Sequence, residues 1–428
     1  MTSAKTIKLP ITNVYASGDY TATFHIGSEK SPVNLLLDSG SSTLVLDHQS
    51  YHAAQDSLLE ATTLAQEVTY GVGGWDGPVI KTQVTVEHAE DAITLPECHV
   101  ALISNKEQHA TFGKGNGILG LAYRHLNKSY DLAHYIEQHQ VQPPHTYPWP
   151  FGTPECVELG NAHFNSDDLK QFKKFLWQQP EQDLIPYFTQ IEELGLTANK
   201  WSFYSKRSSI HVTCEKADDE ALKADPLNQG YLVLGGGEEH SELYQGDFKT
   251  IDVMHDCYYN VVLTKFQVGD GEPIAAAPID KAHEHNYFTN AIVDTGCSVL
   301  ALTNDLFQHL EQSLNAISAE FAELIAPFKD MQFMATGIDA SKLDLSKWPD
   351  LHFYFASAEH GDQRLTCKPS DYWQINSPTP GKAVFKIISQ LPNWPNQSLI
   401  GLPLLNDYYV VFDRAEHELG VIRFAQQK

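Results

Sequence analysis

No run of about 18 apolar residues, the length a membrane-spanning helix needs, occurs in this sequence. There is no HExxH and no CxxC, and the six cysteines, at 98, 156, 214, 257, 297 and 367, stand far apart. The nearest approach to a ligand cluster is His283-Glu284-His285, whose spacing fits no zinc set, so neither a metal nor another cofactor is expected. Basic residues are scarce: 29 Lys and Arg face 54 Asp and Glu, a formal charge of −25. A polyanion of that size repels phosphate backbones and anionic lipid, which excludes nucleic acid and membrane surfaces as expected partners. The opening residues, MTSAKTIKLPITNVYASG, lack the apolar core of an export signal. Without a signal or a dense cysteine framework, the expectation is a cytoplasmic chain with reduced thiols.

What is present is globular material. The chain has 428 residues, 42% of them hydrophobic and 11% aromatic, enough to bury a core and long enough for two or three domains of about 150 residues. Twenty histidines would cancel most of the net charge in mild acid, in line with a sequence pI near 5.1. The first part has β character: Thr21 to Ile26, Val33 to Leu37, Thr43 to Leu46 and the alternating Val79 to Glu87. Tyr70-Gly71-Val72-Gly73-Gly74-Trp75-Asp76-Gly77 has the composition of a hairpin tip. Residues 124–184 differ, with His, Gln and Pro, helix-like pieces such as Ser166 to Gln178, and an irregular loop, HTYPWPFGTPE. β character returns at Gly230 to Gly237, Tyr258 to Val268 and Asn290 to Leu302. A helix is expected over Asn304 to Leu314, capped by Thr303 or Asn304. The tail from Tyr408 to Phe424 reads as two strands around a turn at Arg414 to His417.

The chemistry is carried by an internal duplication. Leu35 to Leu46, LLLDSGSSTLVL, and Ala291 to Leu302, AIVDTGCSVLAL, follow one formula: apolar residues, Asp, a hydroxyl residue, Gly, a small residue, Ser, then an apolar strand. Gly117-Ile118-Leu119-Gly120-Leu121 and Leu399-Ile400-Gly401-Leu402 form a second matched pair in the same order. A single Asp-Ser-Gly is commonly just a turn. Two copies of both segments are not explained that way, and an Asp directly after a strand of apolar residues faces desolvation unless something requires it.

Two carboxylates brought together by such a duplication can share a proton, because like charges about 3 Å apart resist joint ionisation. The ionised member then serves as general base toward a water, and the protonated one donates to a carbonyl oxygen. Aspartic proteases are the standard worked case of this split. Gly after the hydroxyl residue permits a tight turn and a close approach of the two loops. The neighbouring hydroxyls can bond within and between the loops.

On these motifs the chain resembles the pepsin-like aspartic proteases over most of its length. Asp38-Ser39-Gly40-Ser41-Ser42 and Asp294-Thr295-Gly296-Cys297-Ser298 look like the two catalytic motifs, and Tyr70-Gly71-Val72-Gly73 looks like the flap. Asn116 to Tyr123, Leu232 to Gly236 and Tyr408 to Arg414 also match family segments. The resemblance implies an all-β, bilobal fold: two β-barrel-like lobes, a central cleft and a hairpin flap. It divides the chain into an N-terminal lobe at 1–205, with the flap at 68–80 and an insertion at about 124–184, and a C-terminal lobe at 206–428. It implies Asp38 and Asp294 as the catalytic pair, supported by Ser39, Gly40, Ser41, Thr295, Gly296 and Cys297, with substrate met by Tyr70, Gly71, Val72 and Ile118. The implied activity is endopeptidase cleavage of a peptide or unfolded protein, preferably between apolar residues, at acid pH. A monomer suffices, since one chain supplies both aspartates.

Four features depart from the family pattern. Ser39 replaces the commoner Thr, and Cys297 stands where Thr or Ser is usual. Val45 occupies the place of a Trp that bonds the flap Tyr, and Asn116 replaces a usual Asp. Only 37 residues precede Asp38, and the first cysteine is Cys98, so neither a basic propeptide nor the family's disulfide after the first motif is expected. Both features resemble the cytoplasmic, bacterial type of the family. Two alternatives stand beside the enzyme. One is a pepsin-fold protein that binds peptides, or acts as an inhibitor, without cutting. The other reads Cys297 as a nucleophile, which two nearby carboxylates oppose by suppressing its thiolate. The aromatic residues of the insertion allow two readings, a packed loop or a partner surface.

Overall fold

The computed structural model describes residues 4–16, 18–70, 73–106, 112–151, 169–207 and 219–428, and strands dominate it. The chain divides into two compact units, one made of Met1–Ala22, Asp38–Gly40 and Thr197–Lys428, the other of Thr23–Leu37 and Ser41–Leu196.

In the smaller unit, the strands Glu60–Tyr70 and Gly73–His88 form a long antiparallel hairpin, with Tyr70 opposite Gly73. The expected hairpin tip is therefore too wide. Gly73 to Gly77 are strand residues, paired with Tyr70 back to Gln66. Leu44–Asp47 lies antiparallel to Gly117–Gly120 and parallel to Asp91–Ile103. Gly117–Gly120 is in turn the neighbour of Ser31–Asp38. Val45, Ile80, Val100 and Leu119 are sealed from solvent in this core.

The larger unit repeats that local arrangement. Ser398–Ile400 runs parallel to Ala291–Val293 and antiparallel to Leu300–Leu302. In both units the strand with the Ile-Leu-Gly or Leu-Ile-Gly sequence thus sits between the two strands that flank an Asp-containing loop. The hydrogen bonds beneath the two loops also correspond. The Ala122 amide donates to the Ser41 carbonyl at 2.8 Å, and the Leu402 amide donates to the Cys297 carbonyl at 2.9 Å.

The larger unit also holds an antiparallel sheet in the order Ile7–Thr12, Gln229–Leu234, Lys200–Ser205, Tyr408–Asp413, Val421–Gln427, Tyr244–Asp252. Trp201 stacks on Phe412 with ring centroids 4.0 Å apart. The Trp201 indole and the Arg414 guanidinium both donate to the Tyr259 hydroxyl, at 2.8 and 2.7 Å. The expected helix runs from Asn304 to Ile317, with Leu306, Phe307, Leu310 and Leu314 on its buried face. Thr303 occupies its N-cap without a side-chain capping bond. The tail forms Tyr408–Asp413 and Val421–Gln427, so the turn is longer than its sequence signal. Among the described residues no helix is long and apolar enough to cross a membrane.

One ion-pair network ties this sheet to its own turns. Asp413 accepts from Lys200 at 3.0 Å and from Arg423 at 2.9 Å, and Glu238 pairs with the same two cations. Burial pushes the Asp413 carboxyl up, but the bonds from Lys200 and Arg423 outweigh it and hold the group below the usual carboxylate range. A depressed carboxylate stabilises the fold above its unfolded value, about 3.9, and loses that contribution as pH falls through the folded value. Asp413→Asn is expected to lower stability by about 1 to 3 kcal/mol near neutrality. In denaturant titrations the difference from the parent should be full above about pH 5 and should close below about pH 4. A difference constant down to acid pH would contradict this account.

Candidate active site

The segments Asp38–Gly40 and Thr295–Gly296 meet within the larger unit, and the sequence dictates how. Each loop follows a buried strand and contains a hydroxyl residue that is fully buried, Ser39 in one and Thr295 in the other. The Ser39 amide donates to the Thr295 hydroxyl at 3.0 Å, and the Thr295 amide donates to the Ser39 hydroxyl at 2.9 Å. The Ser39 hydroxyl in turn donates to the Val293 carbonyl at 2.9 Å. Two amides that no strand partner reaches are thereby satisfied across the loops. Serine serves as well as threonine at position 39, because only the hydroxyl is used.

This cross-bonding sets the two carboxylates face to face. A Cβ on Gly40 would lie 2.6 Å from an Asp294 oxygen, and a Cβ on Gly296 would lie 2.5 Å from an Asp38 oxygen. Neither position admits a side chain, so glycine is required by close approach. The Gly40 amide donates to Asp38 Oδ1 at 2.7 Å, and the Gly296 amide donates to Asp294 Oδ1 at 2.9 Å. Asp38 is buried and Asp294 half-buried. Desolvation and then the Asp38 charge raise the Asp294 carboxyl well above its ordinary value, and a hydrogen bond between the two side chains raises it further. One proton is therefore held by the pair where isolated carboxylates would have lost theirs.

Cys297 lies beside Asp294, but its thiol donates to the Val299 carbonyl at 3.3 Å. Burial, and next the Asp294 charge, push the thiol up, so it stays protonated and is no thiolate nucleophile. Ser41 belongs to the other unit, where its carbonyl accepts from the Ala122 amide. Ile118 is buried in the same unit, paired with the equally buried Val45. Gly71 and Val72, and the side chain of Tyr70, lie outside the described residues. The Asn116 side chain accepts from the Asn34 amide at 2.8 Å and donates to the Ser50 hydroxyl at 2.9 Å. An amide supplies both the acceptor and the donor, whereas an ionised carboxylate could only accept.

Three groups near the pair carry no sequence motif. Burial pushes the Tyr258 hydroxyl up, and both Asp294 and Asp38 add to that push, which places the phenol in their field. Asp19 is driven to about 7, by burial first, with Lys386 opposing and Asp38 adding to the rise. Its Oδ1 is buried without a hydrogen-bond partner. The Lys386 ammonium, on a residue 8% exposed, donates to the Ser298 hydroxyl at 3.4 Å, and burial lowers its pKa against the pull of Asp19. Lys386 left one trace in the sequence, a lone charge inside the apolar run Val384 to Ile388. Among the described residues no group of three or more His, Cys, Asp or Glu side chains is arranged to hold a metal ion. Of the cysteines, Cys98, Cys257, Cys297 and Cys367 are free thiols, and Cys156 and Cys214 lie outside the described residues.

Comparison with known proteins agrees with this geometry. The model of the eukaryotic aspartyl protease family matches residues 19–142 and 221–426, spanning both Asp motifs. Pepsin II-1 of Oryctolagus cuniculus is 20% identical over 420 residues, covering 95% of this chain and 81% of that protein. Pepsin-3 of the same organism is 21% identical over 418 residues, with the same coverage of both chains. With two such loops cross-bonded around paired carboxylates, and with the family match running over most of its length, the chain belongs to the eukaryotic aspartyl protease family and has the pepsin-like fold.

Proposed function

We propose that this protein is an endopeptidase that cleaves peptide or unfolded-protein substrates at acid pH, using Asp38 and Asp294. The observation that carries the reading is the mutual approach of the two loops, each glycine lying against the other loop's carboxylate. Sharing one proton, the pair acts on both sides of the reaction. The ionised carboxylate takes a proton from a water as that water attacks the scissile carbonyl carbon, and the protonated carboxyl donates to the carbonyl oxygen. A tetrahedral diol results. Its collapse transfers a proton to the leaving amine and restores the shared proton. No covalent enzyme intermediate enters this scheme. The hairpin Glu60–Tyr70 and Gly73–His88 serves as the flap, and apolar residues beside the cut bond are preferred, as the family resemblance implies.

Above the upper apparent pKa of the pair the shared proton is lost, and with it the acid. Activity is therefore highest in acid and declines toward neutrality, which would leave a cytoplasmic protein largely quiet until its surroundings acidify. Cleavage of an unfolded protein followed from about pH 3 to 8 should show this decline, and Asp38→Ala and Asp294→Ala should each lose on the order of a thousandfold in kcat or more. A folded parent chain that cuts nothing at any pH would overturn the reading in favour of a peptide-binding or inhibitor protein.

The thiol at 297 supplies a second expected outcome. The Cys297 thiol donates to the Val299 carbonyl; a Thr hydroxyl, a stronger donor, should stabilise the ionised Asp294 where it turns to the carboxylate instead. Cys297→Thr is expected to move the acid limb of the pH profile down by about half a unit to one unit. An unmoved or raised limb in kcat/KM against pH would refute that role.

A further inference from the structure

The family match runs to residue 142, so of the expected insertion at 124–184 only the part from 143 lies outside it, and the described residues of 124–184 pack on the smaller unit. Lys128–Asp131 pairs with the outer edge of the hairpin strand Glu60–Tyr70, with Tyr130 opposite Ala65. The Gln66 side chain donates to Asn127 Oδ1 at 2.8 Å, and the Thr146 hydroxyl donates to the Leu64 carbonyl at 2.7 Å. Tyr130, Leu132, Ile136, Val141, Phe172 and Leu176 close a core against Ala65, with Trp149, Phe151 and Phe175 packed beside it. Of the two readings of these aromatics, this is the packed one.

The helix Leu169–Leu176 adds something that packing does not require. Lys173 is 5% exposed, an unusual place for an ammonium group. The groups that receive it lie in succession on the strand leading to the hairpin tip. Its amine donates to the Thr69 hydroxyl at 2.7 Å and to the Val68 carbonyl at 3.5 Å, and forms an ion pair with Glu67 at 3.4 Å. The Trp177 indole holds the other Glu67 oxygen at 2.8 Å. Across the hairpin, Gly74 is the residue opposite Thr69, and a Cβ there would stand 2.7 Å from the Lys173 amine. The ammonium is thus seated against both strands at the pair next to Tyr70 and Gly73. An apolar side chain would fill this space without desolvating a charge, but it would make none of these hydrogen bonds.

We propose that Lys173 is a positioning residue for catalysis: anchored in the insertion, it fixes the end of the flap hairpin and so the backbone that presents Tyr70. This rests on the peptidase reading above. The ordering of the hairpin, which substrate would otherwise have to impose on binding, is made in advance by the insertion. Removing the clamp should weaken substrate binding while leaving the Asp38 and Asp294 chemistry in place.

The test compares the parent with Lys173→Met and with Lys173→Met/Glu67→Gln, the second variant leaving no unpaired charge where the pair was. Amide hydrogen exchange is expected to quicken about tenfold or more at residues 66–70 and 73–76, with the strands of the larger unit unchanged. With a peptide substrate in acid, KM should rise about five- to twentyfold while kcat stays within about twofold. Unchanged exchange and unchanged KM in both variants would overturn the proposal, as would exchange that quickens equally throughout the chain. A parent chain that cleaves nothing would instead overturn the peptidase reading, and the positioning role with it. A cleaving parent with unaffected variants overturns the positioning role alone.

Discussion

The reciprocal bonds between Ser39 and Thr295 are the constraint on which the site depends. Two loops from distant parts of the sequence each give an amide to the other's hydroxyl, in a fully buried setting where an unmade bond would leave a polar group stranded. That exchange holds the loops at a separation that only glycine at 40 and 296 allows, and it leaves two carboxylates facing each other. Their repulsion is relieved by a shared proton: desolvation first, and the Asp38 charge second, raise the Asp294 carboxyl. Geometry that is costly for two anions is well suited to one anion and one acid.

Each loop is stiffened by the same device. A third strand lies between the two that flank the loop, and just past its glycine the Ala122 amide in one copy and the Leu402 amide in the other reach the carbonyl three residues after the Asp. Around Asp294 the support continues inward. The Val293 amide bonds the Tyr259 carbonyl, and the Tyr259 hydroxyl is held by Trp201 and Arg414. The aspartate is thus mounted on the apolar core of its unit. Side chains fixed this way need little reorganisation when charge moves during a reaction, which is where preorganised sites gain most.

The duplication is not kept equal. One copy carries the hairpin and the strand Lys128–Asp131 that covers its outer edge, so a strand that would otherwise offer unpaired amides and carbonyls has neighbours on both sides. The other copy carries Lys386 and, from the N-terminal segment, Asp19, a partly neutralised pair of buried charges near the carboxylates. Of these additions, the Asp19 charge adds to the rise of the Asp294 carboxyl.

The sequence by itself determined the duplicated Asp loops, the strands around them and the helix from Asn304, while the all-β class came with the family resemblance those loops carry. These are local facts. Alternation of apolar residues reports which face of a strand is buried, and a hydroxyl and a glycine beside an Asp report what a tight loop needs. The hairpin was legible only in part, as the alternating stretch Val79 to Glu87 and a tip drawn too wide. Tertiary structure alone decided which groups share the site with those loops. Tyr258, Asp19, Lys386 and Lys173 sit in segments with no motif, and their character comes from burial and from charges hundreds of residues away in some cases. A chain written in one dimension records which residues can be apolar or charged. It does not record how far the solvent has been removed from them or which opposite charge has been brought close, and those two quantities set what an ionisable group does.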